Sequence, residues 1–382
     1  MKIPCRALCV FFLVVCAARA QKEEEESPIG DFAPLDDDLV LYIPKFAVKV
    51  GFRGLTGAKT AFSQKGYVSS FHSIGDPSGI AGRLYQDGYV STDTRSLTDP
   101  SGNSVPITPD GRTNNWKFVD PSQVGTGIYA GEIGFHAYEA TVSDTSVRKV
   151  DNPMAFGVEL SLERAMGSLF GGKIKWGIIG GMSINQISDK SQSTLAASVL
   201  TTTDYYSLNG QNAPTTLPYS GGGDTAVLLN ADPNSTRTFV TTTTTNTFSQ
   251  SSKIRGSYMT FRVGPTISIP ISSRFSATMS AGAVVVFAGS TLDVTQTFKP
   301  ETGDVLTDSL ANATSRLLPG FYVDADVQYT MTDTAGLYLG GVYQNSGSYT
   351  QVASSPDGRS AYSTRVDLSS LQGIRAGVSF KF

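Results

Sequence analysis

Leu371-Gln372-Gly373-Ile374-Arg375-Ala376-Gly377-Val378-Ser379-Phe380-Lys381-Phe382 alternates in character along most of its length. Ile374, Ala376, Val378, Phe380 and Phe382 are apolar, whereas Arg375, Gly377, Ser379 and Lys381 between them are polar or small. A side-chain period of two describes a strand with one oily and one wet face. A terminal strand frays unless a neighbour holds it, so a pairing partner is expected.

Working outward, the same alternation recurs in seven other places. Phe46, Val48, Val50 and Phe52 oppose Lys45, Lys49 and Arg53; Met154, Phe156, Val158, Leu160 and Leu162 oppose Glu159, Ser161 and Glu163. Ile174, Trp176, Ile178, Met182 and Ile184 alternate with Lys175 and small residues. Odd positions are apolar from Met259 to Ile271, from Phe275 to Phe287 and from Leu317 to Met331, and Leu337, Leu339 and Tyr343 complete the set. Most of these runs match or exceed the roughly 9–11 residues with which a tilted strand crosses a bilayer. Pro265, Pro270 and Pro319 each remove a ladder donor, so bulges or later strand starts are expected there.

Beyond residue 40 no segment sustains amphipathic helical periodicity, and no apolar run after the first 20 residues approaches the roughly 20 that a spanning helix needs. A membrane protein made from this chain would have to be a closed barrel. If Phe382 marks the periplasmic side, the turns at Arg164–Gly172, Ser272–Ser273 and Thr332–Ala335 are periplasmic and short. The connections 61–152, 188–253, 292–315 and 346–368 then lie outside and are long, as in bacterial barrels. Gly131–Thr141, a further alternating segment, would break this parity as a ninth crossing; it is expected in the first outer connection, extending the sheet above the membrane.

Arg375, Gly377, Phe380 and Phe382 resemble the terminal assembly signal of bacterial outer-membrane β-barrels: a polar residue, a glycine two on, then two aromatics. With the strand pattern and the leader, the chain resembles the small barrels of the OmpA/OmpX/OmpW kind from residue 45 onward. The resemblance implies an all-β, eight-stranded antiparallel transmembrane up-and-down barrel, integral to the outer membrane. It also implies the barrel assembly machinery and outer-membrane lipids as partners. The family's peptidoglycan-binding second domain has no counterpart here.

Lys2 and Arg6, the apolar run Ala7–Ala18 and Ala18-Arg19-Ala20 predict a signal peptide over 1–20, cleaved before Gln21. All three cysteines fall in that leader, which leaves no thiol chemistry or cysteine metal site in the mature chain. Residues 21–44 form an acidic, Pro-containing arm that is predicted to be disordered; from Leu39 onward basic and acidic residues nearly balance. Such a body has no footprint for nucleic acid.

Eight strands leave an interior just wide enough for side chains. The inward faces would carry Lys45, Lys49, Arg53, Lys175, Arg262, Arg375 and Lys381 against Glu159, Glu163, Asp324 and Asp326. Buried charges must pair or stay wet, so a salt-bridged filling is expected. A narrow path for ions or small solutes is the alternative, and a soluble exported β-protein is the second.

The outer connections are turn chemistry. Asp76-Pro77-Ser78-Gly79 recurs as Asp99-Pro100-Ser101-Gly102, and Pro109-Asp110-Gly111-Arg112 as Pro356-Asp357-Gly358-Arg359. Leu84–Val90 predicts a hairpin turning at Asp87-Gly88, and Gly221-Gly222-Gly223 a flexible tip. Val240–Asn246, rich in threonine, is expected to prolong a membrane hairpin outward with Leu195–Leu208. The only histidines, His72 and His136, are expected to be solvated, and no catalytic residue, cofactor or metal site is predicted. A structural or surface-binding role through the outer connections, with its extracellular ligand unspecified, is the expected function.

Overall fold

The computed structural model describes residues 46–69, 82–142, 147–151, 154–170, 173–223, 226–234 and 237–382. The leader, the acidic arm, Lys45, His72 and the Asp76–Gly79 turn lie outside the described residues. The described chain is antiparallel β-structure with two single-turn 3-10 helices, Pro121–Gln123 and Gly127–Tyr129.

In chain order, β1 (Phe46–Thr56) leads into β2 (Lys59–Ser69). Short strands follow: β3 (Gly82–Tyr85), β4 (Gly88–Ser91), β5 (Ser96–Thr98), β6 (Ser104–Pro106), β7 (Arg112–Thr113) and β8 (Trp116–Phe118). Next come β9 (Glu132–Val142), β10 (Arg148–Asp151), β11 (Ala155–Leu169) and β12 (Ile174–Ser207). After β13 (Tyr219–Ser220) and β14 (Leu229–Asn230) run β15 (Arg237–Pro270), β16 (Phe275–Phe298) and β17 (Leu306–Thr330). The chain ends through β18 (Ala335–Asn345), β19 (Ser348–Ser354), β20 (Ala361–Asp367) and β21 (Leu371–Lys381).

Eight strands contain the eight alternating stretches, and each pairs with two others: β1 with β11 and β21, β11 also with β12, β12 with β15, β15 with β16, β16 with β17, β17 with β18, and β18 with β21. The terminal strand is thus held on both sides. Phe382 N donates to Phe46 O at 2.8 Å and Phe46 N to Phe382 O at 3.2 Å, so the two ends of the ladder close on each other.

The connections expected as long loops are to a large extent strand. β12 and β15 each run for 34 residues, and β16 and β17 for 24 and 25. The other four wall strands continue after brief breaks: β1 into β2, β18 into β19, β21 back into β20 and β11 back into β10. Beyond β12 the sheet then proceeds β9, β2, β20, β19, with β10 beside the first half of β2, and β19 packs next to β17. At one break Gly57 takes φ +90°, and a Cβ there would lie 2.1 Å from Ser370 O, where β20 passes into β21.

The reason this extension was hidden is a change of phase. On β16 the odd residues Phe275–Phe287 are apolar and turned outward, whereas the buried apolar residues Val284, Val286, Ala288, Leu292, Val294 and Phe298 are even. Lower down apolar side chains face out and polar ones in; higher up the order reverses.

Val240–Asn246 and Leu195–Leu208 do prolong their hairpin, with Val240 opposite Thr201, and Gly131–Thr141 lies mostly in β9 against the upper part of β12. The Arg164–Gly172 turn is shorter than expected, because β11 continues to Leu169 past a bulge between Ala165 and Gly167. The prolines bring no register shift. Gly264 and Pro265 simply drop out of the ladder to β16, Pro270 closes β15, and Pro319 lies where β17 has run past the end of β18. A missing donor costs little where no acceptor faces it.

Candidate functional site

On the buried face of the lower wall the expected charges converge. Arg375 Nε donates to Glu159 Oε1 at 2.8 Å and its Nη1 to Asp324 Oδ2 at 2.5 Å. Arg262 Nη1 donates to the same Asp324 oxygen, and its Nη2 stands 3.8 Å from Glu159 Oε2. Lys49 Nζ bridges Glu163 at 3.3 Å and Asp326 at 3.8 Å. Tyr338 OH donates to Glu159, Ser280 Oγ to Asp324 and Gln328 Nε2 to Asp326, so each of these three carboxylates has a neutral donor as well as a cation. That is the condition under which buried ion pairs are tolerable.

Three residues depart from the expected network. Arg53 has no carboxylate partner among the described residues; its guanidinium donates to Ser183 Oγ at 2.9 Å and Gln344 Oε1 at 2.5 Å. Lys175 is exposed and Lys381 half-buried, and neither makes an ion pair among the described residues. Both lie near strand ends, where an ammonium can stay hydrated. Gly377 pairs across the ladder with Gly51, and a Cβ on either would strike the Tyr338 ring or its hydroxyl. This packing is a role for Gly377 that the terminal motif does not convey. Phe380 and Phe382 point outward, 43% and 58% exposed.

Above the charges an apolar core fills much of the interior, with Asp189, Ser290 and Gln351 buried beside it. Leu55, Tyr258, Val284, Val286, Tyr322, Val342 and Leu371 form one continuous core with Ile187, Ile254, Tyr349, Tyr362 and Val366 higher up.

On β12, β15, β16 and β17 the outward face changes character on one ladder row. Ile184 pairs Met259, Met259 pairs Phe287 and Phe287 pairs Leu317. Below that row the outward residues are apolar and largely exposed; the next row up is Gln186, Ser257, Gly289 and Ser315. From Met259 to Ile269, a strand rising about 3.3 Å per residue and tilted about 40° spans ~25 Å of axis. This matches the apolar band of a transmembrane barrel, about 25 Å.

Over the ends of β9 and β12 sits a cap of which the sequence disclosed only the Leu84–Val90 hairpin. Strands β3, β4, β8 and β13 form a small sheet, and Trp116, Phe118, Val90, Leu229 and Tyr85 close over Ile133, Phe135 and Tyr206. Trp116 Nε1 donates to Val227 O at 2.8 Å. The hairpin β3–β4 turns at Gln86-Asp87; Gly88 already pairs with Tyr85, and a Cβ there would meet Lys117 O at 2.0 Å. Gly221 is not a free tip, since its N–H donates to Trp116 O at 2.8 Å. The Asp99, Asp110 and Asp357 turns form as expected, each carboxylate accepting from backbone N–H groups two residues on.

Two polar clusters tie the cap down. Asp204 on β12 receives Arg237 Nε at 2.6 Å, Arg237 Nη2 at 2.7 Å and Tyr85 OH at 2.8 Å. Asp87 receives the His136 backbone N–H at 2.8 Å, lies 2.5 Å from His136 Nδ1 and accepts from Thr302 Oγ1 at 3.0 Å. His136 is therefore a half-buried linking residue and not a solvated one, because the turn that carries Asp87 folds back against β9. Burial alone would raise the Asp204 carboxyl, but the hydrogen bonds from Arg237 and Tyr85 hold it below the usual range. A carboxyl depressed on folding stabilises above its unfolded value, about 3.9, and loses that contribution as pH falls toward its folded value. Asp204→Asn is expected to make the cap cleavable by protease on intact cells while the wall stays folded. Equal protease resistance of variant and wild type would contradict this anchoring.

No protein-family model and no curated protein matches the chain. Among solved structures it is similar to Ail, the attachment invasion locus protein of Yersinia pestis, with 9% identity, coverage of 86% of this chain and 99% of that one, and a TM-score of 0.23. A FadL homologue of Pseudomonas aeruginosa matches at 11% identity over 88% and 90% of the two chains, with a TM-score of 0.18. The outer membrane channel DcaP of Acinetobacter baumannii matches at 10% identity over 88% and 97%, with a TM-score of 0.10. The likenesses are slight, and the character of the chain rests on its own strands.

Proposed function

We propose that this chain is an integral outer-membrane protein: an eight-stranded closed barrel with a sealed interior that holds its cap and upper wall outside the cell to bind another polypeptide. The observation that carries the membrane reading is the inversion below the Ile184–Leu317 row, apolar outside and ion-paired within. A soluble β-protein would place these faces the other way round. Closure is supported by the succession of pairings, which passes through eight strands and returns from β21 to β1 and β11.

A binding role is favoured over conduction by the apolar core above the charges. Purified protein in planar bilayers is expected to show little or no conductance; large stable openings would contradict the sealed interior. The binding surface is the upper part of β15, from Arg237 to Thr244, which pairs with β12 on one side, while its ladder to β16 starts only at Phe248. Thr238–Gln250 contains no charge and no proline, the usual protections of an exposed edge. Such an edge can accept an extended segment as an added strand. Cells carrying Thr241→Pro or Thr242→Pro should adhere less to protein-coated surfaces, because one of the two N–H groups faces the open side. Unchanged adhesion in both, with normal surface levels, would sink this reading.

Arg375, Gly377, Phe380 and Phe382 as an assembly signal belong to the same proposal. Phe380→Asp with Phe382→Asp should leave the protein unassembled and degraded; normal surface levels of that variant would reject the signal.

A further inference from the structure

On the outward face above the apolar band, one ladder row carries Lys190 opposite Lys253, and Lys253 opposite Asp293. Like charges directly opposite each other in a sheet are destabilising. Asp293 does not relieve them, because Arg255 Nη2 takes it at 2.8 Å, and neither lysine has an ion-pair partner among the described residues. Three cations, Lys190, Lys253 and Arg255, therefore gather around a single carboxylate. Immediately above them Gln192, Thr194, Ser249, Ser251, Thr295 and Thr297 line an open groove of about 520 Å³, without a charge in it.

We propose that Lys190, Lys253 and Arg255 bind the anionic groups of a sugar-headed, phosphorylated lipid of the outer leaflet, whose sugars lie in the groove above. The inference rests on the outer-membrane reading given above, and the depth of the row selects the lipid. Arg255 and Lys253 stand two and three outward positions above Met259, ~10–15 Å along the axis at about 3.3 Å per residue and a 40° tilt. A simple phospholipid headgroup layer extends only about 5–8 Å beyond the hydrocarbon. Phosphates or carboxylates at the height of the lysines must be borne on something longer, and lipid-linked sugars supply both the reach and the hydroxyls that the groove can bond. Each lysine then has a counter-charge that the chain itself withholds.

The test uses full-length protein in detergent micelles, with native mass spectrometry reading bound lipopolysaccharide, its enzymatically dephosphorylated form, phosphatidylglycerol and inorganic phosphate. The wild type should prefer the phosphorylated glycolipid over the dephosphorylated one by about tenfold, since each cation near such a surface contributes a few-fold. Lys190→Ala with Lys253→Ala should abolish that preference and retain the heat-dependent gel shift of a folded barrel. Equal retention by the double variant, or equal binding of the dephosphorylated lipid to wild type, would overturn the proposal. Preference for phosphatidylglycerol, or displacement of the glycolipid by inorganic phosphate, would overturn the assignment to a sugar-headed lipid. Failure of the membrane reading is separable: protein without a heat-dependent shift, recovered in the soluble periplasmic fraction, would refute that reading first.

Discussion

Arg375→Met should lower the stability of the folded chain by about 3–5 kcal/mol, the range found when one partner is removed from a buried ion pair. Arg375 is 1% exposed and serves Glu159 and Asp324, which are 4% and 2% exposed. Methionine fills most of the volume and supplies no charge. Arg262 alone would then face both carboxylates, with one of its contacts at 3.8 Å. Arg375→Lys should recover only part of the loss, because an ammonium cannot reproduce the fork that reaches two acids at once. Urea unfolding of both variants in lipid vesicles measures the difference. Near-equal midpoints for the Arg375→Met variant and the wild type would show that the interior charges contribute little.

The second large effect concerns the outward face. Val263→Arg and Val158→Arg should prevent assembly, since a cation at mid-bilayer on the lipid side costs about 2–4 kcal/mol. Val263 and Val158 are 55% and 51% exposed, on the two strands that flank β12. Thr260→Asn and Ser161→Asn change the opposite face. They are not silent, because both sites are almost fully buried in a filled interior where overpacking costs about 1–3 kcal/mol. They should nevertheless reach the surface. Cysteine placed at Asp110 or Asp357 should react with an impermeant reagent on whole cells, and cysteine at Ser273 only after the outer membrane is breached. Labelling of Ser273 on intact cells would reverse the orientation.

The eight lower strands could be read because lipid outside and charge inside give odd and even positions opposite chemistry, as from Met259 to Ile271. That contrast also marked most of the interior residues, since a lysine or glutamate at alternate positions of an oily strand has only one place to go. Beyond Leu195–Leu208, Val240–Asn246 and Gly131–Thr141, the upper wall escaped because its outward residues are largely threonine and serine, which alternate only weakly with the apolar ones. Its inward residues also continue on the other parity, so Ala283-Val284-Val285-Val286-Phe287-Ala288 looks uniformly apolar where two phases overlap. The signal that could have found it was the even series Val284, Val286, Ala288, Leu292, Val294, Phe298. Apart from the β3–β4 hairpin, the cap gave no such signal. Its contacts, Trp116 with Val227 and Tyr85 with Asp204, join segments about a hundred residues apart through strands of two to four residues, too short to carry a period.

In the proposed barrel, the row at which the outward face of β12, β15, β16 and β17 turns polar also sets how deep these strands sit. Gln186, Ser257, Gly289 and Ser315 are the first row above it, and one outward step along a tilted strand is ~5 Å of axis. Replacing those four by leucine would lengthen the hydrophobic belt by that amount and set it against a leaflet that had not thickened. Such mismatch costs fractions of a kcal/mol per ångström, small beside the stability of the wall but enough to tilt the barrel or redistribute it between bilayers of different thickness. On the proposed membrane reading, depth of immersion along these four strands is thus written as the residue at which two alternations exchange places.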